Sequence, residues 1–235
     1  MKPVLIFEHI ETSAPGLFEI FLKQRSIPFQ ILRPNFGDEV PVRECISVYS
    51  GLCFLGGIES LTKPTDTLLR EIDLIRAARE AGTPVLGHCL GGQLISKALG
   101  GEVTKHHMDE FGWSRLYLEN KKVSREWLAE LPTELKVMQW HSDSFSIPQG
   151  AVRILTGEHC ANQAFVFNNM LAMQFHVEID KNMIEHWALN LVEKHPPVSD
   201  SVQTGEQIIA SIENHFESSR WLAEQLYSKW AEHLE

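Results

Sequence analysis

The segment Pro84-Val-Leu-Gly-His-Cys-Leu-Gly-Gly-Gln93 joins an apolar run to the start of a helical pattern and puts Cys89 at the junction. Gly87 and Gly91 each stand two positions from the cysteine. This spacing is typical of a nucleophile elbow, a sharp strand-to-helix turn that leaves no room for flanking side chains. The elbow would put the sulfur at a helix N-terminus, where the dipole favours thiolate over thiol. We therefore predict that Cys89 is a nucleophile.

The alternative for Cys89 is a buried core thiol beside glycines that serve only a tight turn. We favour the nucleophile, because a core cysteine needs no small residue on both sides. Cys45, Cys53 and Cys160 have no such setting and are interpreted as core or loop cysteines. Without a Cys-x-x-Cys pair they indicate neither a disulfide framework nor a zinc site, so a reducing, cytoplasmic location is expected.

Strand and helix patterns alternate on both sides of the elbow. This alternation predicts an α/β fold with a parallel sheet covered by helices on both faces. From 102 to 178 the pattern changes to short β-like runs, which predicts a strand-rich second half. The predicted strands are 4–7, 29–32, 52–55, 83–87, 113–118, 137–140, 152–156, 164–167 and 171–174, and the predicted helices are centred on 17–23, 68–75 and 93–99.

The C-terminal tail has a composition of its own. It opens with a Pro-Pro-Val-Ser-Asp stretch at 196–200 that is typical of a linker, followed by Thr204 and Gln207 in capping-box spacing. We therefore predict one domain at 1–195 and a helical extension at 196–235 that packs on the same domain. The alternative role for this extension is a dimer contact, which would make the protein a homodimer.

A histidine and a carboxylate follow another apolar run, in Leu171-Ala-Met-Gln-Phe-His-Val-Glu178. His176 and Glu178 are two residues apart and so share one face of an extended chain. The imidazole could take the thiol proton, and the carboxylate could hold its tautomer and stabilise its cation. His88 precedes the nucleophile but should point away from it, and we interpret it as structural.

The charge balance excludes several classes of partner. With 21 basic and 31 acidic residues the formal charge is −10, which disfavours nucleic acid and anionic membranes. No stretch has the length and apolarity of a membrane span. The cluster at 106–110, which starts His106-His107, is interpreted as a solvated loop near the site rather than a metal site, because no third ligand has a motif's spacing. Neither metal nor cofactor is expected.

Four motifs lie along most of 1–194. They are Gly56-Gly57 before Glu59-Ser60, Gly-His-Cys-Leu-Gly-Gly-Gln at 87–93, Trp140-His141-Ser142-Asp143 and Gln174-Phe-His-Val-Glu178. Together they resemble the motifs of the class I glutamine amidotransferases, and among them stand-alone proteins similar to the amidotransferase domain of GMP synthase. They occur in the family's order and are specific as a set.

This resemblance implies a flavodoxin-like three-layer α/β/α sandwich with a mostly parallel central sheet. It also implies roles for site residues. Cys89, His176 and Glu178 would form a catalytic triad, and the amides of Gly57 and Leu90 would form an oxyanion hole. The positions that would grip the amino acid end of glutamine are Gln93, His141, Ser142 and Asp143.

The chain departs from the family pattern at two positions, since Ile58 and Val177 stand where the family usually has proline. Proline fixes φ, so its absence leaves the backbone freer at these positions without removing any reacting group.

Three functions are compatible with these residues. The first is hydrolysis of the γ-amide of glutamine through a Cys89 thioester, with ammonia passed to an acceptor on a separate synthetase partner, because the chain has no phosphate-binding loop motif of its own. The second is a stand-alone γ-glutamyl peptide hydrolase that acts on glutathione-like conjugates. The third is a catalytically weak relic that binds partners through an intact fold.

Overall fold

Nine strands form one sheet in a computed structural model that describes residues 1–119, 121–128, 130–132, 135–190 and 197–234. Most of the predicted strands recur within a residue or two of their expected bounds. The strands are β1 (Val4–Phe7), β2 (Phe29–Leu32), β3 (Gly51–Phe54), β4 (Val85–His88), β5 (Val103–Leu118), β6 (Lys136–Phe145), β7 (Val152–Gly157), β8 (Ala164–Phe167) and β9 (Met170–Met173).

Seven α-helices within the described residues accompany the sheet. The third begins at Leu90, three residues before its predicted start at Gln93, because the elbow cysteine itself occupies the N-cap. The helices are α1 (Gly16–Gln24), α2 (Asp66–Ala81), α3 (Leu90–Ala98), α4 (Lys122–Trp127), α5 (Lys181–Asn190), α6 (Gly205–Ala210) and α7 (Ile212–Ala231). Two 3-10 helices, Pro34–Phe36 and Arg43–Val48, lie in the connections.

The sheet has a parallel half and an antiparallel half. Strands β2, β1, β3, β4 and β9 are adjacent in that order and pair in parallel. This is the strand order of a flavodoxin-like fold, so the predicted fold class is confirmed. Strands β8, β7, β5 and β6 continue the sheet with antiparallel pairing. The sequence showed a change of pattern here but not that these strands extend the same sheet.

Two apolar cores cover the two faces of the parallel half. One joins the sheet to α1 and α7, and the other joins it to α2 and α3. Side chains alternate between these faces along each strand, so Val85 belongs to the second core and Leu86 to the first. By the same alternation His88, two residues after Leu86 in β4, faces the layer that contains α1 and α7.

The C-terminal tail contains two helices. Thr204 and Gln207 form the predicted capping box at the start of α6, and α7 buries Leu222, Leu226 and Trp230 in the core beside α1. The proposed boundary at 195/196 lies outside the described residues. In the described part of the expected linker, Ser199 exchanges backbone hydrogen bonds with Val202 (3.1 and 3.2 Å), and just after the linker Ser201 accepts one from Phe111 of β5.

The 106–110 segment differs from its sequence interpretation. It is part of β5 and contains a register shift between Lys105 and Glu110 opposite β6. The expected solvated loop is therefore wrong at its C-terminal end, since Glu110 is fully buried. Across the described ranges, none of the helices combines the length and apolarity needed to cross a bilayer.

The two tryptophans of α7 test whether the tail is part of the folding unit. Trp230 is fully buried, whereas Trp221 is 37% exposed on the same helix. We predict that Trp230→Ala lowers the free energy of unfolding by about 3–5 kcal/mol, because it leaves a cavity in the core. The matched Trp221→Ala should cost about 1 kcal/mol. Urea unfolding followed by circular dichroism measures both, and equal small losses would mean that α7 is not integral to the domain.

Candidate active site

Cys89 lies at the turn between β4 and α3 with an unusual backbone. Its φ of 50° and ψ of −105° fall outside the regions that non-glycine residues favour. The strained turn is held by hydrogen bonds from Cys89 N to Met173 O (2.8 Å) and from Gln93 N to Cys89 O (3.0 Å). The side chain is 7% exposed. Such a backbone is characteristic of a nucleophile elbow.

The glycines around the cysteine are required by close backbone packing. A Cβ atom on Gly91 would lie 2.0 Å from Phe54 O, and one on Gly87 would lie 2.4 Å from the Gly91 carbonyl carbon. Gly92 is equally confined, with 2.3 Å to Met173 O. Neighbouring strands thus press against the first turn of α3, and only glycine fits there.

His176 and Glu178 meet on one face of the chain just beyond β9. His176 Nδ1 lies 2.6 Å from Glu178 Oε1, and the backbone N–H of His176 donates to Met138 O of β6 (2.9 Å). The two side chains are nearly and fully buried, respectively. The spacing of two residues brings them together as the sequence led us to expect, although β9 itself ends at Met173.

The imidazole of His176 also contacts the cysteine. Burial alone would lower the pKa of His176, but the Glu178 charge and the hydrogen bonds to Cys89 and Glu178 outweigh it and raise the pKa. Burial would likewise raise the pKa of Glu178, but the neighbouring His88 and His176 hold it well below its usual range. The pair therefore favours a charged carboxylate beside a protonated imidazole.

The two predicted oxyanion-hole residues lie next to each other. Leu90 is the first residue of α3, so its backbone N–H has no acceptor within the helix. A Cβ atom on Gly57, in the loop after β3, would lie 2.5 Å from Leu90 Cδ2. Both backbones thus border the turn that carries Cys89.

A buried ion pair lies behind the loop that carries Gly57. His9 Nε2 lies 3.0 Å from Glu71 Oε2 of α2, and both side chains are inaccessible to solvent. Burial alone would lower the pKa of His9, but the hydrogen bond to Glu71 and the charge of Glu71 outweigh the effect of burial, so the pKa is raised. A Cβ atom on Gly57 would lie only 3.1 Å from His9 Cβ, so His9 packs directly against this loop.

The predicted substrate-gripping residues gather at the end of β6. Gln93 Nε2 donates to Asp143 O (3.2 Å), and His141 Nδ1 lies 3.0 Å from the same carbonyl oxygen. Ser60 donates its hydroxyl to the Asp143 carboxylate across the site. Ser142 and Asp143 are half-buried, whereas Gln93 and His141 are buried. The structure thus brings the four together, with Gln93 and His141 both contacting the backbone of Asp143 in β6.

Sequence reasoning missed a polar network around His141 in this part of β6. Glu110 Oε2 lies 3.0 Å from His141 Nε2 and accepts a hydrogen bond from Gln163 Nε2 (3.0 Å), which in turn receives one from Gln139 (2.9 Å). All of these side chains are buried. Their partners are distant in sequence, so the only signal in the sequence was a carboxylate in an otherwise β-like run.

Sequence reasoning also missed Trp187 of α5. Its ring stands perpendicular to that of His176, with 4.9 Å between centroids, and its Nε1 donates to Thr12 O (2.7 Å). It therefore limits how far the imidazole can tilt. Within the described part of the chain, no three His, Cys, Asp or Glu side chains are grouped as metal ligands.

Residues 21–189, more than half of the chain, match the family model described as glutamine amidotransferase class-I. The chain therefore belongs to the class I glutamine amidotransferases. A solved glutamine amidotransferase from Methylobacillus flagellatus is 36% identical and superposes with a TM-score of 0.94 over 100% of this chain and 96% of its own. Another, from Thermotoga maritima, is 26% identical with a TM-score of 0.83, and 98% of each chain is covered.

Curated relatives indicate the same group. One subunit of a glutamine-hydrolysing GMP synthase from Sulfurisphaera tokodaii is 31% identical over 63% of this chain and 81% of its own length. A GMP synthase from Paraburkholderia phymatum is 29% identical over 70% of this chain. The chain spans only 32% of that longer protein.

Close packing at the elbow leads to a prediction about Gly91. Gly91→Ala should lower the free energy of unfolding by about 3 kcal/mol or more, because its Cβ would collide with the Phe54 carbonyl. Gly82→Ala is the control, since Gly82 has a φ of 74° but open space around it. That variant should lose only about 1–2 kcal/mol from backbone strain. Chemical denaturation would compare the two, and similar losses would contradict the steric argument.

Proposed function

We propose that this chain hydrolyses the γ-amide of glutamine through a thioester on Cys89 and supplies ammonia to an acceptor held by a separate partner. The observation that carries this proposal is the set of contacts in which Glu178 orients His176 and His176 contacts the elbow cysteine. A cysteine, a base and an orienting carboxylate in this order are the parts that acyl transfer by covalent catalysis needs.

In the first half of the proposed reaction, the Cys89 thiolate attacks the amide carbon and a carbon–sulfur bond forms. The carbonyl oxygen becomes an oxyanion, which the backbone N–H groups of Gly57 and Leu90 would stabilise. The tetrahedral intermediate then collapses, the carbon–nitrogen bond breaks, and protonated His176 gives its proton to the departing amine. Ammonia leaves and a glutamyl thioester remains.

In the second half, water attacks the thioester and neutral His176 accepts its proton. Glutamate leaves, and the thiolate and imidazolium are restored. Throughout the cycle the Glu178 carboxylate would hold Nδ1 of His176 and stabilise the charged ring, so that Nε2 faces the reacting atoms.

The grip on the amino acid end of glutamine would come from residues 141–143 of β6. Ser142 and the Asp143 carboxylate are half-buried near Cys89, whose thiol lies 3.8 Å from Trp140 O. A charged carboxylate here suits an α-ammonium group. Gln93 and His141 would act by fixing the Asp143 backbone, since their polar atoms already contact it.

A separate acceptor protein is supported by the relatives and by the rim of the site. The Sulfurisphaera tokodaii relative is named as one subunit of a GMP synthase, and such a name indicates that the enzyme has another. Ile58, directly after Gly57, is 83% exposed, which is a suitable contact for a partner that covers the site mouth. The four cysteines are free, as expected in the reducing cytoplasm that we propose for this protein.

Replacement of Cys89 tests the assignment directly. Cys89→Ala should lower the rate of glutamate release from glutamine by roughly ten-thousand-fold or more, because the covalent route is lost. Cys45→Ala is the control, since Cys45 is a half-buried free cysteine in a separate 3-10 helix. It should retain full activity. A coupled glutamate dehydrogenase assay measures both, and undiminished release by the Cys89 variant would refute the nucleophile.

A comparison of two substrates separates the proposal from its nearest alternative. The purified chain alone should release glutamate from glutamine with a higher kcat/KM than from glutathione, because the site is proposed for ammonia as leaving group. A clear preference for glutathione would instead support a γ-glutamyl peptide hydrolase. Lack of turnover of either substrate, together with no labelling of Cys89 by a glutamine-like chloroketone, would favour a partner-binding relic.

A further inference from the structure

We propose that His88 and Tyr227 are positioning residues of the active site, which hold the Glu178 carboxylate from the side opposite His176. This inference rests on the proposed function, because it assigns their effect through the triad. It gives a role to two buried polar side chains that the mechanism above leaves unused, and it links α7 to the chemistry.

The geometry is a continuous line of polar contacts through the sheet. The Tyr227 hydroxyl lies 3.3 Å from His88 Nε2, and His88 Nδ1 lies 3.0 Å from Glu178 Oε2. The other carboxylate oxygen, Oε1, is 2.6 Å from His176 Nδ1. The two carboxylate oxygens therefore each face a different histidine, and rotation of the Glu178 side chain would break both contacts.

The polarity of these contacts follows from the groups involved. A carboxylate can only accept, so the favourable form of the 3.0 Å contact between His88 Nδ1 and Glu178 Oε2 has the proton on Nδ1. In the neutral ring, Nε2 is then an acceptor, and the Tyr227 hydroxyl is its donor. The phenol thus selects the tautomer of His88 that the carboxylate needs.

The remaining groups around Glu178 stay neutral. Burial, together with the Glu178 charge, raises the pKa of the Cys53 thiol and of the Tyr227 phenol well above their usual values. Neither can therefore lose a proton near neutral pH. Among the described residues, the contacts of the buried carboxylate with ionisable side chains of suitable polarity are those with His88 and His176, so loss of the His88 contact would leave one carboxylate oxygen without a partner.

The placement of both residues follows from the fold. His88 points to the α1 and α7 face because it alternates with Gly87 in β4, while the chain turns at Cys89. Tyr227 is buried in that layer against Phe18 and Phe21, with ring centroids 4.9 and 5.5 Å away. Its ring is therefore fixed, and the hydroxyl is aimed at the imidazole rather than at solvent.

A matched pair of substitutions tests this inference. In His88→Asn the side-chain amide can take the place of Nδ1–H and donate to Glu178, whereas in His88→Gln the amide reaches toward Tyr227. Tyr227→Phe removes the hydroxyl alone. Each full-length variant would be compared with the wild type in glutaminase kinetics from pH 5 to 10, in iodoacetamide labelling of Cys89 at pH 6 and in thermal unfolding.

We expect His88→Gln to lower kcat by roughly 10- to 100-fold with little change in KM, because loss of one hydrogen bond to a charged group corresponds to a rate change of about this size. Its basic pH limb should move to lower pH, because a loosely held Glu178 raises the pKa of His176 less. Labelling of Cys89 should slow by about tenfold. His88→Asn should recover most of the loss, and Tyr227→Phe should lose about threefold.

Equal kcat values and equal pH limbs for the Asn and Gln variants would overturn the inference, as would losses that follow thermal stability alone. The result remains distinguishable from failure of the proposed function. If Cys89→Ala is inactive but the His88 variants match the wild type, the function stands and the positioning role falls. If glutamine is not hydrolysed but the labelling rates differ as expected, the positioning role stands and the substrate assignment falls.

Discussion

The buried carboxylate of Glu178 is the constraint on which the rest of the site depends. A charge without solvent must be compensated by fixed partners, and here the partners come from different parts of the chain: His88 at the end of β4 and His176 just after β9. The backbone of the same residue accepts from Leu17 at the start of α1. This one residue thus connects two adjacent parallel strands through its side chain and α1 through its backbone, and burial of its charge would be unfavourable if either histidine were displaced.

The elbow adds a second constraint from the opposite face. Phe54 of β3 and Met173 of β9 press their backbones against the first turn of α3, so the turn cannot relax away from its unusual φ at Cys89. Strain of this kind persists only where the surroundings over-determine the conformation. The parallel half of the sheet therefore acts as a rigid support, and Cys89 and His176 lie just beyond the carboxyl ends of its strands β4 and β9.

The antiparallel half serves a different purpose. Asp143 lies in β6, which pairs with β5, and His141 contacts both Glu110 and the Asp143 carbonyl in this part of the strand. Under the proposed function, the nucleophile and the substrate grip would therefore come from separate parts of one sheet. Trp187, from α5, closes the space beside His176.

The sequence by itself determined the local features: the elbow around Cys89, the spacing of His176 and Glu178, the parallel strands and the capping box. These depend on residues close together in the chain, where steric limits and side-chain alternation decide the outcome. Only the tertiary structure decided which distant groups meet. The contact of Tyr227 with His88 spans 139 positions, and the continuation of the sheet through β8, β7, β5 and β6 depends on strand pairing that no local pattern encodes. Buried polar groups require polar partners, but the sequence alone does not show which residues those partners are.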